Sequence, residues 1–457
     1  MHAHDFIYPN GKKEEMRQGI LVITFVLLVF GQVAAVKANE TSELRGLILK
    51  QTQQLQQLQQ RLDELEAKQK QQNLETEEKI SEAVKNEQVA TLPDSLKWLE
   101  NISISGDLRY RHEHIDSEQL KEDGSIGWRT GRDRDRIRAR LMIEAMLNDE
   151  WDIVFRMATG QADVIDGDIY ADPISKNQTL TGGFTGKNFW LDLAYFDYHP
   201  MSIEGLNVVG GKIKNPFYTV GKNQLVWDSD LTPEGIAGKY AMPFSDSAAL
   251  HLNGGGFWIS EESSGADTSL WGAQAYIKQT IENSDYILAG ASFWDYGNLQ
   301  GKEDKYGVLL GNTNGSTDPD VSTWASDFDI LEVFAEYGTK LGAMPAAVFG
   351  SWIKNTTAVN NEGEGWLVGG KLGKAKDPGS MEFVYDYRDL ERDAVVGAYS
   401  DSDFLGGTTG GKGHRFGINY QFARNVQSAM TYFHDESTLQ GPGLDYQRLQ
   451  ADLKLKF

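Results

Sequence analysis

From Ile102 to Phe457, apolar residues recur at every second position in stretch after stretch, a period that excludes most folds. An extended strand sends alternate side chains to opposite faces, so each stretch reads as a strand with one greasy and one wet side. "RFGINYQFA" sets Phe416, Ile418, Tyr420 and Phe422 against Arg415, Asn419 and Gln421. "MEFVYDYR" sets Met381, Phe383, Tyr385 and Tyr387 against Glu382, Asp386 and Arg388. The last stretch, "QRLQADLKLKF", places Leu449, Ala451, Leu453, Leu455 and Phe457 opposite Arg448, Gln450, Asp452, Lys454 and Lys456. Stretches of this kind number about sixteen.

A soluble β-sandwich alternates in the same way, and the connections separate the two folds. After the first strand comes a long polar loop, then the short "LNDE", then a long loop from Gly160 to Lys187, then the short "HPMSIEG". Long and short connections keep alternating to the tight "ARN" at Ala423 to Asn425. Short turns on one rim and long loops on the other are the signature of a transmembrane β-barrel. A closed barrel pairs every backbone N–H and C=O inside lipid, and about 9–11 residues suffice for each crossing. A mean hydropathy of −0.44 fits this fold, because half of each strand faces water. At about sixteen strands the interior should be too wide for wall side chains to fill, which predicts an aqueous channel.

One strand carries an unusual polar face. In "GRDRDRIRARLMIEAML", Arg132, Arg134, Arg136, Arg138 and Arg140 alternate with residues that become apolar from Ile137 onward. Facing lipid, each charge would cost roughly 2–4 kcal/mol near the midplane, so the row is expected to face the lumen. Arg136, Arg138, Arg140 and Glu144 then line the pore, with Arg109 and Arg111 on one neighbouring strand and Asp152 and Arg156 on the other. Basic rows bias a pore toward anions. The same arginines can instead pair with lumen carboxylates such as Asp107, Asp152, Asp192 and Glu144 and stiffen the wall. Acidic loops, among them "DVIDGD" at 163–168, would oppose anion entry, which leaves net selectivity open.

The remaining features bound the rest of the chain. It is acidic, with 66 Asp and Glu against 44 Lys and Arg and a formal charge of −22, which argues against nucleic acid as a partner. It has no cysteine, so disulfide and thiolate chemistry are excluded. Gly19 to Ala38 is a long apolar run behind Met16 and Arg17, closed by small residues at Val36 and Ala38, the layout of a secretory signal peptide. The polar stretch ahead of it makes Met16 a candidate start. Between 40 and 90, Ile48, Leu55 and Leu62 fall at a positions and Leu44, Leu58 and Leu65 at d positions of a heptad, with Gln51 at the remaining d site. That spacing predicts an oligomerising coiled coil of two or three strands. "RHEHID" holds His112 and His114 without a third ligand, and no hydrolase, Walker or dinucleotide motif occurs. No enzyme activity, cofactor or metal is therefore expected.

Several stretches together resemble the putative porins of Gram-negative outer membranes. They are "GDLRYRHE", "RDRIRARLMIEAMLNDEWDIVFRMATGQ", "NQTLTGGF", "LDLAYFDYHP", "GGKIKNPF" and "LVWDSDLTPEGIA". The resemblance is dense from Gly106 to Ala237 and thin afterwards until the terminal strand. It implies a large β-barrel of trimeric type that passes small hydrophilic solutes by diffusion. Phe457 looks like the C-terminal signal read by the barrel-assembly machinery. The expected organisation is a signal peptide (1–38), a periplasmic coiled coil (39–90), a linker (91–101) and an all-β transmembrane barrel (102–457). The barrel should have about 16 antiparallel strands and contact outer-membrane lipid and lipopolysaccharide. The alternative is an envelope tether, whose coil binds peptidoglycan or a periplasmic partner while the barrel anchors it.

Overall fold

The computed structural model describes residues 94–457, except 166–167, 282–284, 304–308, 440 and 442, together with Gln57, Arg61 and Lys68. The expected leader, 1–38, lies outside the described residues, and so does the expected coiled coil, 39–90, apart from those three positions. Within the expected linker, Asp94–Asn101 forms a short 3-10 helix.

Sixteen long strands follow. They are β1 (Ile102–Leu120), β2 (Arg132–Asn148), β3 (Trp151–Thr159), β4 (Phe189–Tyr198), β5 (Leu206–Lys212), β6 (Glu234–Ser245), β7 (Ala248–Ser260) and β8 (Thr268–Thr280). The second half comprises β9 (Tyr286–Gly297), β10 (Phe328–Leu341), β11 (Met344–Asn355), β12 (Glu364–Gly373), β13 (Met381–Leu390), β14 (Gly411–Ala423), β15 (Val426–Ser437) and β16 (Leu444–Lys456). Each pairs antiparallel with its sequence neighbour, and β1 closes on β16 from Asp107↔Lys456 to Ser117↔Tyr446. Closure leaves the sheet no free edge, which a backbone surrounded by hydrocarbon requires.

The closing seam extends one residue beyond the strands. Gly106 N–H donates to the Phe457 carbonyl at 3.2 Å, and Phe457 N–H donates to the Gly106 carbonyl at 3.1 Å. A Cβ on Gly106 would meet the Phe457 ring at 2.5 Å, so only glycine admits the ring there.

The outer face bears the apolar half of each strand. Ile104, Leu108, Phe155, Trp258, Trp271, Val348 and Phe416 are all exposed. In water such a surface would be a liability, whereas in lipid it is the membrane-facing band.

The interior departs from the simple aqueous lumen. The loops 213–233 and 391–410 fold inward and pack on the inner faces of β6 to β13. Phe217 meets Trp294 at 5.9 Å and Phe257 at 6.4 Å, and Trp227 meets Phe257 at 6.1 Å. Gly221 N–H donates to Glu336 Oε2 at 2.7 Å. Gly221 has φ 59° and lies so close to the Phe349 ring that a Cβ would meet it at 2.4 Å, which reserves the position for glycine. The two loops join where Asp228 N–H donates to the Tyr399 carbonyl at 2.8 Å and Ser402 N–H donates to Asp228 Oδ2 at 2.9 Å. Width alone predicts an empty lumen; in-folded chain occupies one side of it instead.

Candidate functional site: the ionic wall

On β1 and β2 the register sets Arg109 opposite Arg138 and Arg111 opposite Arg136, with Asp107 opposite Arg140 and Glu113 opposite Arg134. Like charges directly across a sheet repel, so this wall stands only with counter-charges nearby. Three come from the wall itself. Asp107 accepts from Arg138 Nη2 at 3.0 Å and from Arg140 Nε at 2.7 Å. Asp452 on β16 accepts from Arg111 in a bidentate pair at 2.6 and 2.9 Å. Glu113, fully buried, accepts from Arg448 at 2.7 Å and also from Arg134, with Arg136 at 3.8 Å.

The in-folded loops supply the rest. Asp230 stands 3.5 Å from Arg138 and 3.7 Å from Arg140. Asp403 stands 3.4 Å from Arg111 and 2.9 Å from Arg448. Burial alone would push the Asp403 carboxyl up, but the Arg448 and Arg111 guanidiniums hold it well below the usual carboxylate range.

A third loop, 160–187, completes the wall. β3 ends at Thr159, so above Arg140 the free side of β2 takes Gln178 and Thr179 as partners instead. This brings Ser175 and Asn177 against the ladder. Arg136 Nη2 donates to Ser175 Oγ at 3.3 Å, and Arg109 donates to Asn177 Oδ1. A bulge between Arg156 and Met157 in the β3–β4 pairing leaves both Asp192 and Leu193 buried. Asp192 thereby accepts from Arg156 at 2.6 Å and lies 3.1 Å from Lys176.

The sequence-derived residues therefore fall into two groups. Arg109, Arg111, Arg136, Arg138, Arg140 and Arg156 all point inward and are engaged by carboxylates or loop polar groups. Glu144 and Asp152 lie nearer the short-turn rim, where Asp152 is 4.0 Å from His199 and Glu144 has no ion pair among the described residues. Arg111 and Arg136 are 6% and 7% exposed, so the ladder is a buried network and not a bare cationic strip. Removing one partner from such a network costs about 3–5 kcal/mol, because the other charge is left unpaired. Outside, His112 pairs with Asp135 at 2.9 Å and His114 with Asp133 at 2.7 Å. Among the described residues no three side chains converge as a metal site.

Sequence reasoning missed several participants. Arg388 is fully buried between Asp401 at 2.7 Å and Asp386 at 3.4 Å, and its guanidinium lies over the Phe404 ring at 4.9 Å. Lys214 and Lys239 have no ion pair among the described residues, and Lys214 sits in the field of Arg156, Arg140 and Glu144. Only the inward parity of Arg388 was legible beforehand. Loop acids such as Asp230 and Asp403 carry no periodic signal.

Among solved structures, OprB of Pseudomonas putida superimposes with a TM-score of 0.49 at 11% identity, covering 78% of this chain and 94% of that one. An engineered triple mutant of the Rhodopseudomonas blastica porin gives a TM-score of 0.42 at 14% identity, covering 78% of this chain and all of that one. At these values neither carries an argument about function. No curated protein matches. The model of the family described as "Putative porin" matches residues 119–327 and 325–457, well over half of the sequence. A closed sixteen-strand barrel matched over this length, the chain belongs to the putative porin family, the β-barrel channels of the Gram-negative outer membrane.

Proposed function

We propose that this porin lets small hydrophilic solutes diffuse passively along the ionic side of its barrel, with a preference for anions. The observation that carries this reading is the division of side chains on single strands. On β1 and β2, Leu108 and Ile143 are exposed outward, while Arg109, Arg111 and Arg136 are held inside. The proposed path follows the ionic wall of β1 to β3 and β16, past the points where Asp230 and Asp403 of the in-folded loops contact it. Arg109, Arg111, Arg136, Arg138, Arg140, Glu144, Asp152 and Arg156 are its proposed lining. Their charges are largely offset by Asp107, Glu113, Asp192, Asp230, Asp403 and Asp452, so the anion bias comes from cations without a carboxylate partner, such as Lys214 and Lys239.

The even strand number puts both ends of the barrel on the short-turn rim, which supports a periplasmic coiled coil at 39–90 and external long loops. Membership of the porin family favours a homotrimer, the greasy band favours lipid and lipopolysaccharide contact, and the exposed Phe457 ring favours reading by the barrel-assembly machinery. The tether reading rests on residues that lie outside the described ones. In planar bilayers the purified protein should give ion-conducting steps, with a reversal potential in a salt gradient of the sign set by anions. A protein that inserts without conducting would overturn the channel reading.

A further inference from the structure

At the long-loop end of the ladder, a cavity of about 310 Å3 is lined by Arg129, Arg132, Arg134 and Arg448, with Thr130 and Tyr446 among the remaining residues. The short strand Ile126–Trp128 builds it. This strand folds back on Glu118 to Leu120 of β1, and Arg129 N–H then donates to the Ser117 carbonyl at 2.8 Å. That contact holds Arg129 beside the start of β2, where Arg132 and Arg134 already point inward, while Arg448 reaches in from β16.

No carboxylate lines this cavity. Arg134 and Arg448 share the single carboxylate of Glu113, which Arg136 also approaches, and Arg448 shares Asp403 with Arg111. Arg129 donates only to the neutral Gln119 Oε1, at 3.1 Å, and Arg132 has no ion pair among the described residues. Arg448 is 1% exposed, yet its Nε donor has no hydrogen-bond partner. Four guanidiniums with spare donors thus converge on one small space in a chain whose formal charge is −22. Guanidinium forks match the paired oxygens of carboxylates and phosphates, and a concave cationic site concentrates such ions from solution.

We propose that this cavity is a capture site for small oxyanions, carboxylate- or phosphate-bearing solutes, at the entrance to the ladder. The proposal deepens the channel reading and rests on it, but the site is defined by its own residues. An anion seated there supplies the negative charge that the lining lacks. It then has the inward row of Arg136, Arg138 and Arg140 ahead of it.

Two measurements test the site, with inorganic phosphate and succinate as probes. In bilayers, millimolar probe added on the long-loop side should reduce the chloride-carried single-channel current. The variant R129Q/R132Q, which disturbs no ion pair, should raise the half-effect concentration at least about tenfold. K187Q removes a half-buried loop lysine that lies outside the cavity and donates to the Thr181 carbonyl, and it should behave as wild type. Calorimetric titration of the detergent-solubilised protein should show the same loss of probe binding in R129Q/R132Q, whether or not the channel conducts. Absent conductance with intact binding would sink the channel reading alone. No binding of either probe to the wild type, or equal binding to the double variant, would overturn the capture site.

Discussion

The two sides of this barrel obey the same rule outside and opposite rules inside. On β1 to β3 and β16 the inner face is ionic, with Arg109, Arg111, Glu113, Arg448 and Asp452 all buried. On β6 to β13 much of the inner face is apolar, with Phe257, Leu270, Trp294, Phe328, Ile330, Phe349 and Ile353 equally buried. The outer faces look alike because lipid imposes one chemistry on the whole circumference. The inner faces differ because each is matched to what stands opposite it. Greasy loop residues such as Phe217 and Trp227 meet the apolar wall, while Asp230 and Asp403, on the same two loops, meet the ionic one. The in-folded loops are thus two-sided, apolar toward β6 to β13 and acidic toward the arginines.

The contrast is most sharply tested by one deletion on each side. Trp227→Ala should cost about 3–5 kcal/mol by opening a cavity in the apolar packing. Glu113→Ala should cost a similar amount by stranding Arg134 and leaving Arg448 with Asp403 alone. The conductance effects should diverge. Trp227→Ala enlarges single-channel conductance with ion preference unchanged, whereas Glu113→Ala raises the anion-to-cation permeability ratio. Thermal unfolding in detergent and reversal potentials report both, and a matching shift in selectivity would dissolve the distinction between the two sides.

A smaller effect separates outside from inside on one strand. Leu108→Arg puts a charge into the lipid-facing band and should destabilise the folded barrel by roughly 2–4 kcal/mol in a lipid-based equilibrium. If this variant is as stable as wild type, the outer face of β1 does not meet acyl chains.

The smallest effect concerns the link between the two sides. Asp403 titrates well below an ordinary carboxylate, so the stability it contributes is present above the unfolded value of about 3.9 and is lost as pH falls through the lower folded value. Hydrogen exchange of residues 397–406, corrected for intrinsic rate, should be flat from about pH 8 to pH 5 and rise only in stronger acid. Loosening near neutral pH would mean that Arg111 and Arg448 do not hold this loop.

Much of the outer architecture is legible in the sequence. Strand parity sorts Leu108 from Arg109 because a strand has a period of two, and a bilayer tolerates only one of them on its side. The alternation of long and short loops sorts barrel from sandwich. What parity cannot say is what faces an inward residue. Arg138 and Phe334 both point inward, yet one meets a carboxylate and the other an aromatic cluster, and local sequence does not distinguish these outcomes. Loops 213–233 and 391–410 look like ordinary polar connections with scattered aromatics.

The sequence by itself determined a closed, lipid-facing barrel with an inward arginine row, because those properties follow from the short-range alternation of side chains along each strand. Only the tertiary structure decided that the row is paired with carboxylates and that one side of the lumen is packed. It also decided that Arg129 and Arg132, which have no carboxylate partner among the described residues, meet Arg134 and Arg448 around one cavity at the long-loop end. Those outcomes depend on contacts between residues far apart in the chain, such as Glu113 with Arg448 and Asp230 with Arg138, and no local pattern encodes such distances.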